Sequence, residues 1–288
     1  MDRKKFLKKS FFSSLAATLA PSLLKGSSTG TTGSRKEIIG HNHLPNQEKT
    51  TMNTVLHKAD TRGFANHGWL RSHHSFSFAN YYNADRMGFG TLRVLNDDRV
   101  AGGRGFGRHP HDNMEIISIP LSGDLEHKDS MGNTTVIKEG DIQVMSAGTG
   151  IFHSEYNKNA DKEVKFLQIW VFPNQRNVTP RYDQIPISDL KTDNQFYQVL
   201  SPTPDDQGVW IHQNAWFHIG DLEAGRNATY SLKAPSQNGV YAFVLEGDVS
   251  IGEQTLNPRD GYGLWDIENL EVKAQSKARV LLMEVPMH

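Results

Sequence analysis

"IPLSGDLEH" at residues 119–127 is matched further along the chain by "FVLEGDVSI" at 243–251. Each sets an apolar run before a Gly-Asp step and a second β-prone run after it, as two strands joined by a tight turn would. A second pair follows in the same order, "GNTTVIKEGDI" (132–142) and "GEQTLNPRDGY" (252–262). Two ordered matches indicate one structural unit used twice. Around them, "MEIISIPL" (114–121), "TTVIKEGD" (134–141), "KFLQIWVF" (165–172), "YAFVLEGDVSI" (241–251) and "ARVLLMEV" (278–285) are short β-prone runs parted by turn residues. The expectation is an all-β chain made of two tandem β-barrels. "PISDLKTD" (186–193) is the best short helical candidate. The polar, proline-bearing "NQRNVTPRYDQ" (174–184) sets the boundary, with a first domain over 53–178 and a second over 179–288.

The start of the chain differs from the rest. "MDRKKFLKKS" is basic and "FFSSLAATLAPSLL" (11–24) is apolar and small, so residues 1–28 are expected to be an export signal with a periplasmic destination, the alternative being a cytoplasmic protein whose signal does not function. "DRKKFLKKS" resembles the twin-arginine pattern with Lys4 in place of the second arginine. The apolar run is too short for a comfortable membrane span, so none is expected in the mature protein. Residues 29–52 have the Gly, Ser and Thr content of a flexible linker, and His41 and His43 within it are expected to be solvated. A net charge of −1 offers no basic field for nucleic acid. Cysteine is absent, so any bound metal must be held by nitrogen and oxygen.

That constraint gives weight to "FGRHPHDNMEI" (106–116), where His109 and His111 flank Pro110. A residue before proline avoids the helical region, and a strand turns residues i and i+2 to one face. Further on, "GDIQVMSAGTGIFHSEYN" (140–157) presents His153 and Glu155 with the same spacing. Two strands, each offering such a pair, can enclose one cation inside a small barrel. Three imidazoles and a carboxylate suit iron(II), and also manganese, nickel, cobalt or copper. A structural zinc site would usually close at four ligands, whereas octahedral coordination leaves two positions open. Counting back from Gly247 as from Gly123 places Lys233 and Pro235 where the first barrel has its histidines, so no metal is expected in the second barrel. His212 and His218 are expected to be structural or on the surface.

These motifs, "RHPHDNMEI", "LSGDLEHKDSMGN" and "VMSAGTGIFHSEYN", resemble the cupin superfamily and, within it, the pirin family of bicupins. The stretch from Arg62 to Val100 is similar to bacterial pirin-like quercetin 2,3-dioxygenases. The resemblance implies two cupin barrels of jelly-roll type. It implies metal ligands at His109, His111, His153 and Glu155. Export in the folded state by the twin-arginine route would let the barrel choose its metal in the cytoplasm, where copper and zinc are scarce, which favours iron(II) and keeps zinc among the alternatives. The resemblance also implies oxidative ring cleavage of a flavonol such as quercetin by molecular oxygen. A divalent cation lowers the pKa of a coordinated hydroxyl, and Glu155 could combine ligation with taking that proton. The alternatives are a redox-sensitive partner-binding protein without enzymatic activity, a small-molecule isomerase, or a cupin that keeps its metal but has lost activity.

Several residues are weighed beside this set. Glu115 lies four residues past His111, about 13 Å along a strand, and is read as supporting or structural. Gln143, Ser154 and Asn113 are candidates for orienting the imidazoles. Phe106, Met145 and Phe152 either line a pocket for a flat aromatic molecule or fill the core. His73 and His74 are read as packing, the tryptophans as core, and His57, His67, His127 and His288 as belonging to no constellation.

Overall fold

A computed structural model describes residues 52–288, which fall within one compact unit. The expectations for the leader, for the linker up to residue 51, and for His41 and His43 lie outside the described residues. Chain order supplies β1 (Asn53–His57), β2 (Gly63–Asn66), β3 (Leu70–His74), β4 (Leu92–Val100), β5 (Gly105–His111) and β6 (Glu115–Ser122). Next come β7 (Leu125–Asp129), β8 (Thr134–Ile137), β9 (Asp141–Ser146), β10 (Ile151–Asn157), β11 (Val164–Val171) and β12 (Arg181–Pro186). The second half contains β13 (Phe196–Ser201), β14 (Val209–Trp210), β15 (Trp216–Leu222), β16 (Asn227–Ser231) and β17 (Asn238–Glu246). It ends with β18 (Val249–Ile251), β19 (Gln254–Leu256), β20 (Gly261–Trp265), β21 (Asn269–Ala274) and β22 (Ala278–Pro286).

These strands build two barrels, each from a seven-stranded and a four-stranded sheet. The first runs β12-β9-β6-β11-β4-β3-β2 against β5-β10-β7-β8, and the second β1-β20-β17-β22-β15-β13-β14 against β16-β21-β18-β19. The chain is thus all-β with two barrels, as the internal repeat requires. The repeated turns coincide: Gly123 and Gly247 both have positive φ, 78° and 69°, where a side chain would be strained. "PISDLKTD" keeps only a short 3-10 turn, Ile187–Leu190, because its Pro186 ends β12.

Strand membership departs from the boundary drawn at 178. β1 pairs with β20 and so completes the second barrel, while β12 pairs with β9 and completes the first. Each barrel lends the other an edge strand, a trade that local sequence does not signal. His57 of β1 is locked in place by Tyr241 Oη, 2.9 Å from its Nδ1.

The two seven-stranded sheets share one core. Ile117, Ile119, Val144, Leu167 and Ile169 from the first barrel cluster with Val199, Phe217, Tyr241, Phe243 and Leu281 from the second. This is why "KFLQIWVF" reads as an unbroken apolar run: β11 is buried on both faces. Leu167 and Ile169 face the other barrel, while Val164, Phe166, Gln168 and Trp170 face inward. Asp97 on β4, 6% exposed, adds a charged link by receiving Arg259 Nε from the second barrel at 2.9 Å.

Candidate metal centre

The first barrel's interior is layered along its axis. One end is apolar, filled by Leu70, Val100, Leu125, Ile137, Val164 and Phe166. The other holds Met114, Ile116, Met145 and Ile151, with Trp170 packed against them. Polar side chains and the histidine motifs sit among these apolar residues.

β5 and β10 run antiparallel and place His109 opposite His153. The register then slips, so that Glu155 pairs with Phe106, leaving an extra residue on β5 at the Gly107–Arg108 step. Such a bulge twists a strand and re-aims its side chains. Here the Gly107 carbonyl accepts the His109 Nδ1–H at 2.8 Å, which leaves His109 Nε2 free to bind a metal. Gly105 permits the close pairing, because a Cβ there would lie 2.2 Å from the Glu155 carbonyl oxygen.

The three imidazoles converge. Ring centroids are 4.4 Å apart for His109 and His153, 4.9 Å for His109 and His111, and 4.9 Å for His111 and His153. One nitrogen from each ring lies within 4.8 Å of the others. His153 is 2% exposed, yet neither of its ring nitrogens has a hydrogen-bond partner. Buried polar groups in native proteins are nearly always paired, so this pocket of nitrogens fits a cation. Burial also lowers the pKa of all three rings, to about 3 for His111, with His109 adding its repulsion. They are therefore neutral near pH 7, the form that ligates metals.

Glu155 points into the same barrel, since it shares a strand face with His153. It stands outside the three-nitrogen cluster. Its Oε1 accepts from Ser118 Oγ at 3.0 Å and its Oε2 from Gln168 Nε2 at 3.1 Å. Burial pushes its pKa up to about 7, against the two hydrogen bonds.

The structure sorts the neighbouring residues. Glu115 faces the second barrel, bonded by Ser146 Oγ at 2.6 Å, and belongs to the interbarrel contact. Phe152 alternates with His153 and turns outward, where Arg108 lies 4.0 Å over its ring, so it lines no pocket. Ser154 is likewise on the outer face of β10 and orients no imidazole. Asn113 braces the loops beside the site instead: its backbone N–H donates to Gly148 and its Oδ1 accepts from the Asn177 N–H. Gln143 is buried in the interior with Nε2 unpaired. Met145 does line the interior, and Phe106 packs against Trp69 toward the apolar end.

Sequence reasoning missed four residues: Ser118, Gln168, Trp170 and His127. Trp170 stands edge-on to His111 at 5.0 Å and touches Phe78 at 5.4 Å, forming an aromatic wall. His74 is buried beside Phe78, at 5.3 Å. Period-two alternation along "KFLQIWVF" puts Phe166, Gln168 and Trp170 on one face without telling which face is the inner one. The partners of Glu155 could not be chosen without strand register.

The second barrel carries other residue types at the positions equivalent to the four candidate ligands. His127 pairs with Glu155 as Ile251 pairs with Val272, and His109 pairs with His153 as Tyr230 pairs with Leu270. The counterparts of His109, His111, His153 and Glu155 are therefore Tyr230, Leu232, Leu270 and Val272. Lys233 and Pro235, reached by counting, are displaced because the link between β16 and β17 is longer than that between β5 and β6. These four positions carry no nitrogen or carboxylate donor, and all belong to an apolar core cluster. His218 is buried beside Tyr230, ring centroids 4.6 Å apart.

Comparison with known proteins agrees with this geometry. The pirin family profile matches residues 55–171, and that of the quercetinase C-terminal cupin domain matches 198–285. A quercetin 2,3-dioxygenase of Escherichia coli K12 is 42% identical over 231 residues, 80% of this chain and 98% of its own length. The chain belongs to the pirin family. A pirin-like protein of Caulobacter vibrioides is 37% identical over 78% of this chain and 96% of its own. The crystal structure of YhhW from Escherichia coli superposes with a TM-score of 0.78 at 40% identity, covering 82% of this chain and 99% of that one. The bacterial pirin YhhW in complex with nickel(II) gives 0.77, also at 40% identity, covering 82% of this chain and all of that one. The chain is thus a bicupin of the pirin family. Among the described residues no helix is long and apolar enough to cross a membrane.

Proposed function

We propose that this pirin is a metal-dependent dioxygenase that opens the ring of a flavonol such as quercetin with molecular oxygen. His109, His111 and His153 would hold one divalent cation by nitrogen, with Glu155 as the oxygen ligand. The observation that carries the reading is the convergence of three imidazoles, with His153 buried and both of its nitrogens unpaired. The identity to a quercetin 2,3-dioxygenase over nearly that protein's whole length supports the substrate class. When bound, the cation would supply Lewis acidity, lowering the pKa of a hydroxyl placed on it. Iron(II) is our choice of metal: a twin-arginine route would let the barrel select its metal in the cytoplasm, where copper and zinc are scarce. The complex of the bacterial pirin YhhW with nickel(II) supports a divalent ion and keeps nickel among the alternatives.

This chain's own residues then do three things. Ser118 and Gln168 hold the Glu155 carboxylate in one rotamer, so that it can bind and also receive a proton from the substrate hydroxyl. Trp170, Phe78 and Met145 supply apolar surface for a flat ring. The second barrel, with apolar side chains at the ligand positions, braces the first through the shared core.

Oxygen uptake with quercetin, with and without chelator, tests the reading. Uptake that chelation abolishes and iron(II) restores is the expected result. No uptake by fully metal-loaded protein would overturn it. Glu155→Gln should retain part of the metal and slow turnover, and an unchanged rate would remove its role as proton acceptor.

A further inference from the structure

The proposed ligand set leaves one neighbouring imidazole unused. His127 lies on β7 directly across from Glu155, with its side chain fully buried. Its ring centroid is 5.4 Å from that of His153. The ring is held from two directions. Asp129 Oδ2 lies 3.0 Å from Nε2, and that carboxylate is itself fixed by the Asn133 side chain and by the backbone N–H groups of Met131 and Asn133. Tyr182 of β12 packs on the ring at 4.7 Å, its hydroxyl tied to Thr135 and Gln184.

This arrangement fixes the tautomer. A carboxylate only accepts, so the proton of the neutral imidazole sits on Nε2. Nδ1 is then a bare acceptor. It is buried, and no donor among the described residues reaches it. Buried acceptors in native proteins nearly always have a donor, and this one lies on a ring that neighbours the three-imidazole cluster.

We infer that His127 Nδ1 accepts a hydrogen bond from an O–H group seated on the cation, which is water in the resting protein and a hydroxyl of the organic substrate in the complex. Asp129 is the positioning residue that holds the ring and keeps its proton on Nε2, leaving Nδ1 bare. The inference rests on the proposed cation site, but not on the identity of the substrate. It makes the site selective for hydroxyl donors, because an ether oxygen in the same place would leave the acceptor unpaired.

The test uses the whole chain and two variants. His127→Phe keeps a flat ring and removes the acceptor, and His127→Gln keeps an acceptor in poorer alignment. In manganese(II)-loaded protein, water-proton relaxation reports the residence time of cation-bound water. His127→Phe should shorten it by about five- to tenfold, with His127→Gln in between and metal content unchanged. In nickel(II)-loaded protein under nitrogen, calorimetry compares quercetin with its permethylated ether. His127→Phe should weaken quercetin by about tenfold and leave the ether unaffected. An unchanged water residence time overturns the inference, whatever the flavonol arm shows. Loss of metal in both variants also overturns it, because His127 would then serve the cation directly. If unaltered protein ignores quercetin while the water effect appears, the flavonol reading falls and the hydrogen bond stands.

Discussion

Replacing Glu115 by Gln tests whether the seam between the barrels holds a carboxyl that is neutral in acid and costly once charged. Glu115 is 1% exposed and faces the second barrel. Burial pushes its pKa from 4.5 to about 7, even though Ser146, the His212 N–H and Arg181 all favour the charged form. Because the folded value lies above the unfolded one, the group's contribution to stability is complete below pH 4.5. It is lost as pH rises through 7. The full loss corresponds to about 3 kcal/mol, an upper figure at this burial. Glu115→Gln keeps the shape and cannot titrate. Urea unfolding of both proteins from pH 4.5 to 8 gives the difference in stability, in which other titrating groups cancel. The Gln variant should gain steadily on the native chain across that range, by up to about 3 kcal/mol. A difference that stays flat with pH, or that moves toward the native chain, would show that Arg181 and the hydrogen bonds keep Glu115 charged throughout.

Other outcomes follow from the same contacts. Ser118→Ala and Gln168→Ala each remove one bond from the Glu155 carboxylate, and each should weaken metal binding by about 10- to 100-fold, measured by competition with a chelator. His153→Ala should lower metal occupancy further while the far-ultraviolet β signal persists, because the ring contributes ligation rather than a large share of the core. Gly105→Ala forces a Cβ onto the Glu155 carbonyl and should part β5 from β10, seen as faster amide exchange in both strands together with metal loss. Deleting Asn53–His57 strips β20 of one of its two neighbours, leaving only β17, and should lower the melting temperature even though none of the four proposed ligands is touched.

Much of the fold and of the proposed ligand set could be read from the sequence because both rest on period-two geometry. A strand that shows His109 to one face shows His111 to the same face, and the same holds for His153 and Glu155. That rule also excludes Phe152, which directly precedes His153 and must turn outward. Failures came where register or loop length decided. Lys233 and Pro235 were reached by counting through a link that is longer in the second barrel. His127 appeared isolated in "LSGDLEHKD" because its neighbours Glu155, His153 and Tyr182 arrive from other strands. Trp170 and Gln168 were hidden in an apolar run that is buried on both faces, where composition does not reveal which side is which. The exchange of β1 and β12 between the barrels had no local signal, since an edge strand carries no mark of the sheet it will join.

The cation site itself is tested most directly by a crystal structure of the full chain grown with nickel(II), with anomalous diffraction collected at the nickel edge. One strong peak is expected in the first barrel, bonded by His109, His111 and His153 at about 2.0–2.1 Å, with a Glu155 oxygen in the same sphere. A peak elsewhere, or Glu155 still held only by Ser118 and Gln168 beside a fully occupied ion, would contradict that expectation.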